Sequence, residues 1–143
     1  MEIHKSAVVA RSAIETFDLI EAAEHYPAFL PWCADAVILA RNDKAVAARI
    51  TIDFHGIRFA LTTRNPKRRP HWMKIHLQQG PFRCFEGEWR LTELAADACR
   101  IDFDLRYEWG GGVTGLIALP IFSEIANTLV DAFARRAEQG VDL

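Results

Sequence analysis

The chain has 143 residues, half of them hydrophobic and a quarter charged, with a formal net charge of −2. That length supports one domain, residues 1–143, with a sizeable core, and that charge gives no whole-surface attraction to nucleic acid or to anionic membranes. The three cysteines, Cys33, Cys84 and Cys99, are widely spaced with no C-x-x-C, which reads as reduced thiols rather than a disulfide scaffold or a zinc site. No apolar run reaches the ~18 residues needed to span a bilayer. The first six residues lack a basic stretch followed by an apolar one, so no secretory signal is expected. The expectation is a cytoplasmic protein that meets a membrane only peripherally, at its inner face.

Residues 2–9 read as a strand. Ser12, with Glu15 three residues on, forms a capping box that opens a helix over 12–22, with Ile14, Phe17, Leu19 and Ile20 as its apolar face. A short second helix is expected around His25–Leu30, ended by Pro31. From Ala34 the pattern has period two. Val46, Ala48, Ile50, Ile52 and Phe54 share one parity, His55-Gly56 turns the chain, and Ile57, Phe59, Leu61 and Thr63 follow. The segment 65–70 reads as a loop because Pro66 and Pro70 fall within it. Met73, Ile75 and Leu77 make the next apolar face. Gln79-Gly80-Pro81 turns again, and Phe85, Trp89 and Leu91 continue the inward set with Gly87 between them, a hint of a bulge or of space left open.

After a turn at 95–97, Cys99–Trp109 alternates strictly. Cys99, Ile101, Phe103, Leu105, Tyr107 and Trp109 lie on one face, and Arg100, Asp102, Asp104, Arg106 and Glu108 on the other. Gly110-Gly111-Gly112 then reads as a flexible hinge into an amphipathic helix reaching about Gln139. On it Phe122, Ile125, Leu129 and Phe133 recur at three- and four-residue spacing, and Pro120 fits only near the start or at a kink. The fold class is α+β: a curved antiparallel sheet of about seven strands, two short helices after the first strand, and one long terminal helix as its only large cover.

The inward set is rich in rings: Phe54, Phe59, Phe85, Trp89, Phe103, Tyr107 and Trp109, with Leu61 and Met73 beside them. These residues either fill the core or, with Phe122, Ile125 and Leu129, line a cavity suited to a lipid, a quinone or a polyketide. The opposite face, with Lys74, Glu86, Glu88, Arg90 and the charges of the last strand, reads as solvated, which leaves Asp102 and Asp104 without the desolvation that acid–base work needs. His4, His25, His55, His71 and His76 form no ligand spacing, and no nucleophile elbow or phosphate loop is present, so neither a metal nor a catalytic set is expected. Arg64, Lys67, Arg68 and Arg69 are the one basic cluster. It reads as a solvated turn or as a contact for acidic lipid headgroups or ribosomal RNA. The segment 113–122 is apolar nearly all round and reads as a gate or a membrane rest.

Four stretches in order, Tyr26–Cys33, Gly80–Arg83 running on to Trp89, Tyr107–Trp109 and Val130–Ala137, resemble the coenzyme Q-binding START-like family, which also holds the bacterial ribosome-association toxins and carries a polyketide cyclase/dehydrase label. The resemblance covers residues 3 to about 138. It implies the helix-grip fold and a non-enzymatic carrier of ubiquinone or a related isoprenoid lipid that supports respiration, with the lipid as bound ligand and no cofactor. It leaves two alternatives, a protein that binds the large ribosomal subunit and blocks subunit joining, and a cyclase or aromatase. It adds Phe29, Trp32 and Phe82 to the cavity and sets Tyr26-Pro27 and Gly80-Pro81-Phe82 at the pocket mouth. Tyr107 or Arg58 is the expected polar contact for a head group. The cyclase reading needs a titratable group inside the cavity, and the inward parity offers only Tyr107 and the thiols.

Overall fold

The structure, a computed structural model, describes residues 1–140; the last three positions of the expected domain lie outside the described residues. The element order is β1 (Glu2–Val9), α1 (Ala13–Glu21), a 3-10 turn (Ala23–Ala28), β2 (Cys33–Arg41), β3 (Ala45–Phe54), β4 (Ile57–Arg68), β5 (Trp72–Gln79), β6 (Phe82–Ala95), β7 (Ala98–Trp109) and α2 (Thr114–Glu138). All seven strands form one antiparallel sheet in the order β1-β7-β6-β5-β4-β3-β2. Five consecutive hairpins build β2 to β7. The chain's first strand then pairs with its last one, so that Ile3 faces Leu105 and Val9 faces Cys99. This is the helix-grip architecture, with α2 held in the concave face.

Local chemistry explains the boundaries. Ser12 Oγ accepts from the Glu15 amide at 3.1 Å and donates to its carboxylate at 3.0 Å, so the capping box forms as the sequence predicts. Ile14, expected on the apolar face of α1, is instead exposed, and Ala13 and Thr16 are buried in its place beside Phe17, Leu19 and Ile20. The second helix is a 3-10 segment, because Pro27 inside it supplies no amide for a regular helical ladder. His55 and Gly56 both have positive φ (51° and 82°), the conformation a two-residue hairpin needs.

The expected loop at 65–70 is a correction. β4 runs on to Arg68, and Pro66 sits inside it opposite Ala45 of β3. The ladder to β5 skips from Arg64↔His76 to Lys67↔Met73, so the missing proline amide falls where no pairing is made. Gly87 causes no bulge. It pairs in register with Ile75 and Leu105, and a Cβ there would meet the Cδ1 atoms of those residues at 3.1 and 3.3 Å. The space over Gly87 is thus already filled by its two cross-strand neighbours.

α2 forms over Thr114–Glu138, close to the extent the sequence predicts. One 18-residue window of it has a mean hydropathy of 1.5, which by length and composition alone would cross a bilayer. In the fold its backbone runs closest to β1, and its buried residues face the sheet, Phe122 against Phe82, Phe85 and Tyr107 and Phe133 against Trp89. Pro120 lies in its second turn and is exposed, as a position near the helix start allows.

The outer face is a charge lattice across β1, β7 and β6. His4 and Arg90 bind Asp104 at 2.6 and 2.8 Å, and Ser6 and Arg100 bind Asp102 at 2.8 and 3.2 Å. Partial desolvation works to raise both carboxyls, but these donors outweigh it and both pKa values lie below the ordinary aspartate value. A depressed folded-state pKa contributes stability that is present above the unfolded pKa and lost as pH falls through the folded value. Thermal melting followed from pH 6 downward is therefore expected to show a loss of stability beginning below roughly pH 4. Asp104→Asn is expected to flatten that loss; an unchanged slope contradicts the assignment.

Candidate functional site

Beneath α2 lies a hollow of about 100 Å³, measured as the space open to the centre of a water molecule. Its floor is the middle of the sheet: Val46, Ala48, Ile50 and Ile52 of β3, Leu61, Thr63 and Asn65 of β4, Met73 and Ile75 of β5, Phe85 and Trp89 of β6, and Phe103 and Leu105 of β7. Its roof is Phe122, Ile125, Ala126, Leu129 and Phe133 of α2, and one flank is completed by Ile20, Glu21, Ala23, Tyr26 and Trp32. A ligand site for a drug-sized molecule is typically ~300–1,000 Å³, so this hollow holds a single ring or a short aliphatic segment as it stands.

Of the expected lining residues, Trp32, Leu61, Met73, Phe85, Trp89, Phe103, Phe122, Ile125 and Leu129 do surround the hollow. Phe29, Phe54, Phe59, Phe82, Tyr107 and Trp109 do not. Phe59 and Phe82 meet Trp109 edge-on at 5.3 and 5.1 Å, and Phe82 and Tyr107 both lie 5.0 Å from Phe122. Together they plug the end of the sheet nearest the start of α2. Phe29 packs on Phe133 at 5.4 Å, with the Arg136 guanidinium 5.0 Å from its ring. Phe54 stacks on His55 at the hairpin. Strand parity separates inward from outward, but it does not say how far along the strand a residue lies, and that distance divides the plug from the hollow.

Both expected head-group contacts are occupied. The hydroxyl of the buried Tyr107 is hydrogen-bonded at 2.6 Å to Oγ of the half-buried Ser123, and Arg58 is paired to Asp53 at 2.8 Å on the surface. The polar groups of the hollow are Glu21, Tyr26, Thr63 and Asn65. Tyr26 donates its hydroxyl to the Ile20 carbonyl, and desolvation, with Glu21 nearby, pushes its phenol pKa well up. Glu21 is held by Arg41 at 2.6 Å and by Lys67 at 3.6 Å. Asn65 was hidden in the sequence by the loop reading; continuing the parity of Leu61 and Thr63 by one step would have found it.

The basic cluster is likewise divided. Lys67 faces inward, its side chain only 9% exposed against Glu21, and Arg69 is bound twice by Asp18, at 2.7 and 2.8 Å. Arg64 and Arg68 are exposed. Arg64 lies on the outer face diagonal to Arg49 of β3 and directly across from His76 of β5, giving a basic stripe separate from the mixed charges of β6 and β7. Burial pushes the Cys33 thiol up to about 11 and raises Cys99 as well, and no group of three or more metal-ligating side chains occurs among the described residues.

The model of the family described as polyketide cyclase / dehydrase and lipid transport matches residues 9–134. The chain belongs to that family. It is 34% identical over 137 residues to a ribosome association toxin RatA of Pseudomonas aeruginosa, covering 96% of this chain and 95% of the relative. It is 22% identical to a mitochondrial coenzyme Q-binding protein COQ10 homolog B of Xenopus laevis, covering 96% of this chain and 58% of that one. The crystal structure of the Zhui aromatase/cyclase from Streptomyces sp. R1128 superposes with a TM-score of 0.83 at 16% identity, covering 99% and 96% of the two chains. The helix-grip fold is thus shared with that solved protein.

The start of α2 lies beyond the aromatic plug, outside the lining of the hollow, and is the most exposed part of the helix. Val113, Leu116 and Ile117 are 79%, 78% and 62% exposed, and Gly111 and Gly112, at φ 107° and 83°, precede them. This end closes on the sheet at the buried Ala118 and at Gly115, where an added Cβ would stand 2.6 Å from Trp109 Cδ1. Gly115→Ala is expected to push the helix off the aromatic plug and to lower unfolding free energy by about 1–3 kcal/mol. Chemical denaturation checks this, and an unchanged midpoint would show that the contact yields freely.

Proposed function

We propose that this protein is a non-enzymatic binder of a hydrophobic molecule, with an isoprenoid quinone or a lipid of similar shape as the ligand. The observation that carries the reading is the apolar hollow between α2 and the sheet, whose few titratable lining groups are already engaged. A catalyst for polyketide cyclisation needs a free acid or base facing its substrate. Here Tyr26 spends its proton on a backbone carbonyl and Glu21 sits between two cations. The reading is of a ligand whose ring or terminal isoprene occupies the hollow while the aromatic plug of Phe59, Phe82, Tyr107 and Trp109 parts to let the rest of its tail reach the exposed start of α2. Each buried methylene contributes about 0.8 kcal/mol, so a tail needs no dedicated polar partner. In this account the protein works in the cytoplasm or against the inner face of a membrane, with Val113, Leu116 and Ile117 as the contact and the glycines before them as the hinge that lets the roof lift.

Organic extraction of the purified protein followed by mass spectrometry is expected to release a quinone or isoprenoid lipid. Ala48→Leu, which places three extra carbons in the hollow, is expected to reduce recovery at least about tenfold while the protein still melts cooperatively. No lipid in the extract, together with no uptake of added ubiquinone, overturns the reading.

The identity to ribosome association toxins over nearly the full chain favours a second activity, docking on the large ribosomal subunit. The surface that suits an RNA backbone is the stripe Arg49, Arg64 and Arg68 on the outer sheet face, not Lys67 or Arg69, whose charges are internally compensated. Cosedimentation with the large subunit is expected to weaken as salt rises, and Arg49→Ala/Arg64→Ala/Arg68→Ala to reduce it at every salt concentration. Salt-independent cosedimentation, or an unaffected triple variant, removes this surface from consideration.

A further inference from the structure

One end of the hollow carries an unmet hydrogen-bond demand. Asn65 lines the cavity from β4, and its Oδ1 is fully buried with no hydrogen-bond partner. Its Nδ2 has only a long contact, 3.8 Å, to Met73 Sδ. A buried acceptor without a donor costs the folded protein the full loss of its hydration, so such an atom in a native cavity wall calls for a partner that arrives from outside. Thr63, two residues back on the same strand face, brings a hydroxyl to the same wall. Tyr26 cannot supply the missing proton, because its hydroxyl already donates to the Ile20 carbonyl.

The electrostatics around this end select the kind of partner. Glu21 is neutralised by Arg41 and Lys67, and Arg41 is shared in turn with Glu24 at 2.7 Å. Two cations and two anions cancel there, so a carboxylate or phosphate head group gains no net attraction and would still lose its hydration. A neutral donor meets no such penalty. The size of the hollow adds a second constraint, since apolar cavities of comparable volume accept one benzene ring.

We propose that Asn65 Oδ1 is the docking point for the hydroxyl of a neutral aromatic ring, a phenol or hydroquinone, held between Trp89, Met73 and the roof of α2. This rests on the apolar-binder reading above and goes further, because it assigns the polar end and distinguishes a hydroxyl-bearing ring from its ether or fully oxidised counterpart, which has no proton to give. The ring slides in with its apolar edge toward Ile125 and Leu129, and the hydroxyl ends at β4.

The test uses a matched pair of probes, 4-butylphenol and 4-butylanisole, which differ by methylation of the one oxygen. Quenching of the lining tryptophans Trp32 and Trp89 follows binding. The native protein is expected to bind the phenol about tenfold more tightly than the ether. Asn65→Leu is expected to bring that ratio to within about twofold without weakening the ether, and to melt no lower than the native protein when empty, since it removes an unpaired buried acceptor. A native ratio near one overturns the subsite while leaving the apolar binder standing, and so does a ratio that survives in Asn65→Leu. Failure of both probes to bind the native protein overturns the binder reading itself and the subsite with it. The native ratio is decisive without any variant, and Asn65→Ala offers a smaller second replacement.

Discussion

One helix must cover a seven-stranded sheet, and the rest of the molecule follows from that mismatch. Seven strands spaced ~4.8 Å apart make a surface roughly 29 Å wide, whereas a helix with its side chains is about 10 Å across. Curvature narrows the gap but does not close it. The chain meets the remainder with α1 and the 3-10 segment at one end, and with a plug of aromatic rings, Phe59, Phe82, Tyr107 and Trp109 around Phe122, at the other. Between these two fillings the rings of the sheet meet α2 only at its edges, Phe85 against Phe122 and Trp89 against Phe133, and the hollow is what remains between them.

Each part of the site takes its character from its place in that arrangement. The floor is apolar because period-two strands send their aliphatic and aromatic residues to the concave face and their charges to the lattice outside. The polar end appears where β4 runs past the cover of α2 toward α1, so that Thr63, Asn65 and Lys67 continue the inward parity beyond the apolar stretch. Lys67 is tolerable there because Glu21 stands opposite. Phe133 ties the two covers together, meeting Tyr26, Phe29 and Trp89 at 5.2, 5.4 and 5.2 Å. The beginning of α2, outside the plug, exposes Val113, Leu116 and Ile117 and touches the body of the protein through Gly115 against Trp109 and the buried Ala118, so it is the part of the helix whose opening costs least.

Most of the fold was legible in the chain because hydrophobic period and turn chemistry are local signals. The alternation through Cys99–Trp109, the capping box at Ser12 and the His55-Gly56 turn each act within a few residues, and each formed as read. The failures have a common physical origin in non-local context. Pro66 looks like a loop residue until the neighbouring ladder is seen to skip at its position. Arg69 looks free until Asp18, far away in the chain, binds it. Tyr107 looks like a head-group contact until Ser123 of α2 takes its hydroxyl. Half-buried parity found the concave face correctly and could not divide it into plug and hollow, because that division depends on where α2 crosses the strands.

The central claim is a dry apolar hollow under α2, and xenon tests it most directly, since apolar cavities stay empty of water and take up the gas while polar ones hold ordered water. Diffraction from a xenon-pressurised crystal is expected to show a xenon atom between Trp89 and Phe103 on the sheet and Ile125 and Leu129 on the helix, with no water chain there. A site that binds no xenon and contains hydrogen-bonded waters, or side chains closed over the space entirely, would contradict the account.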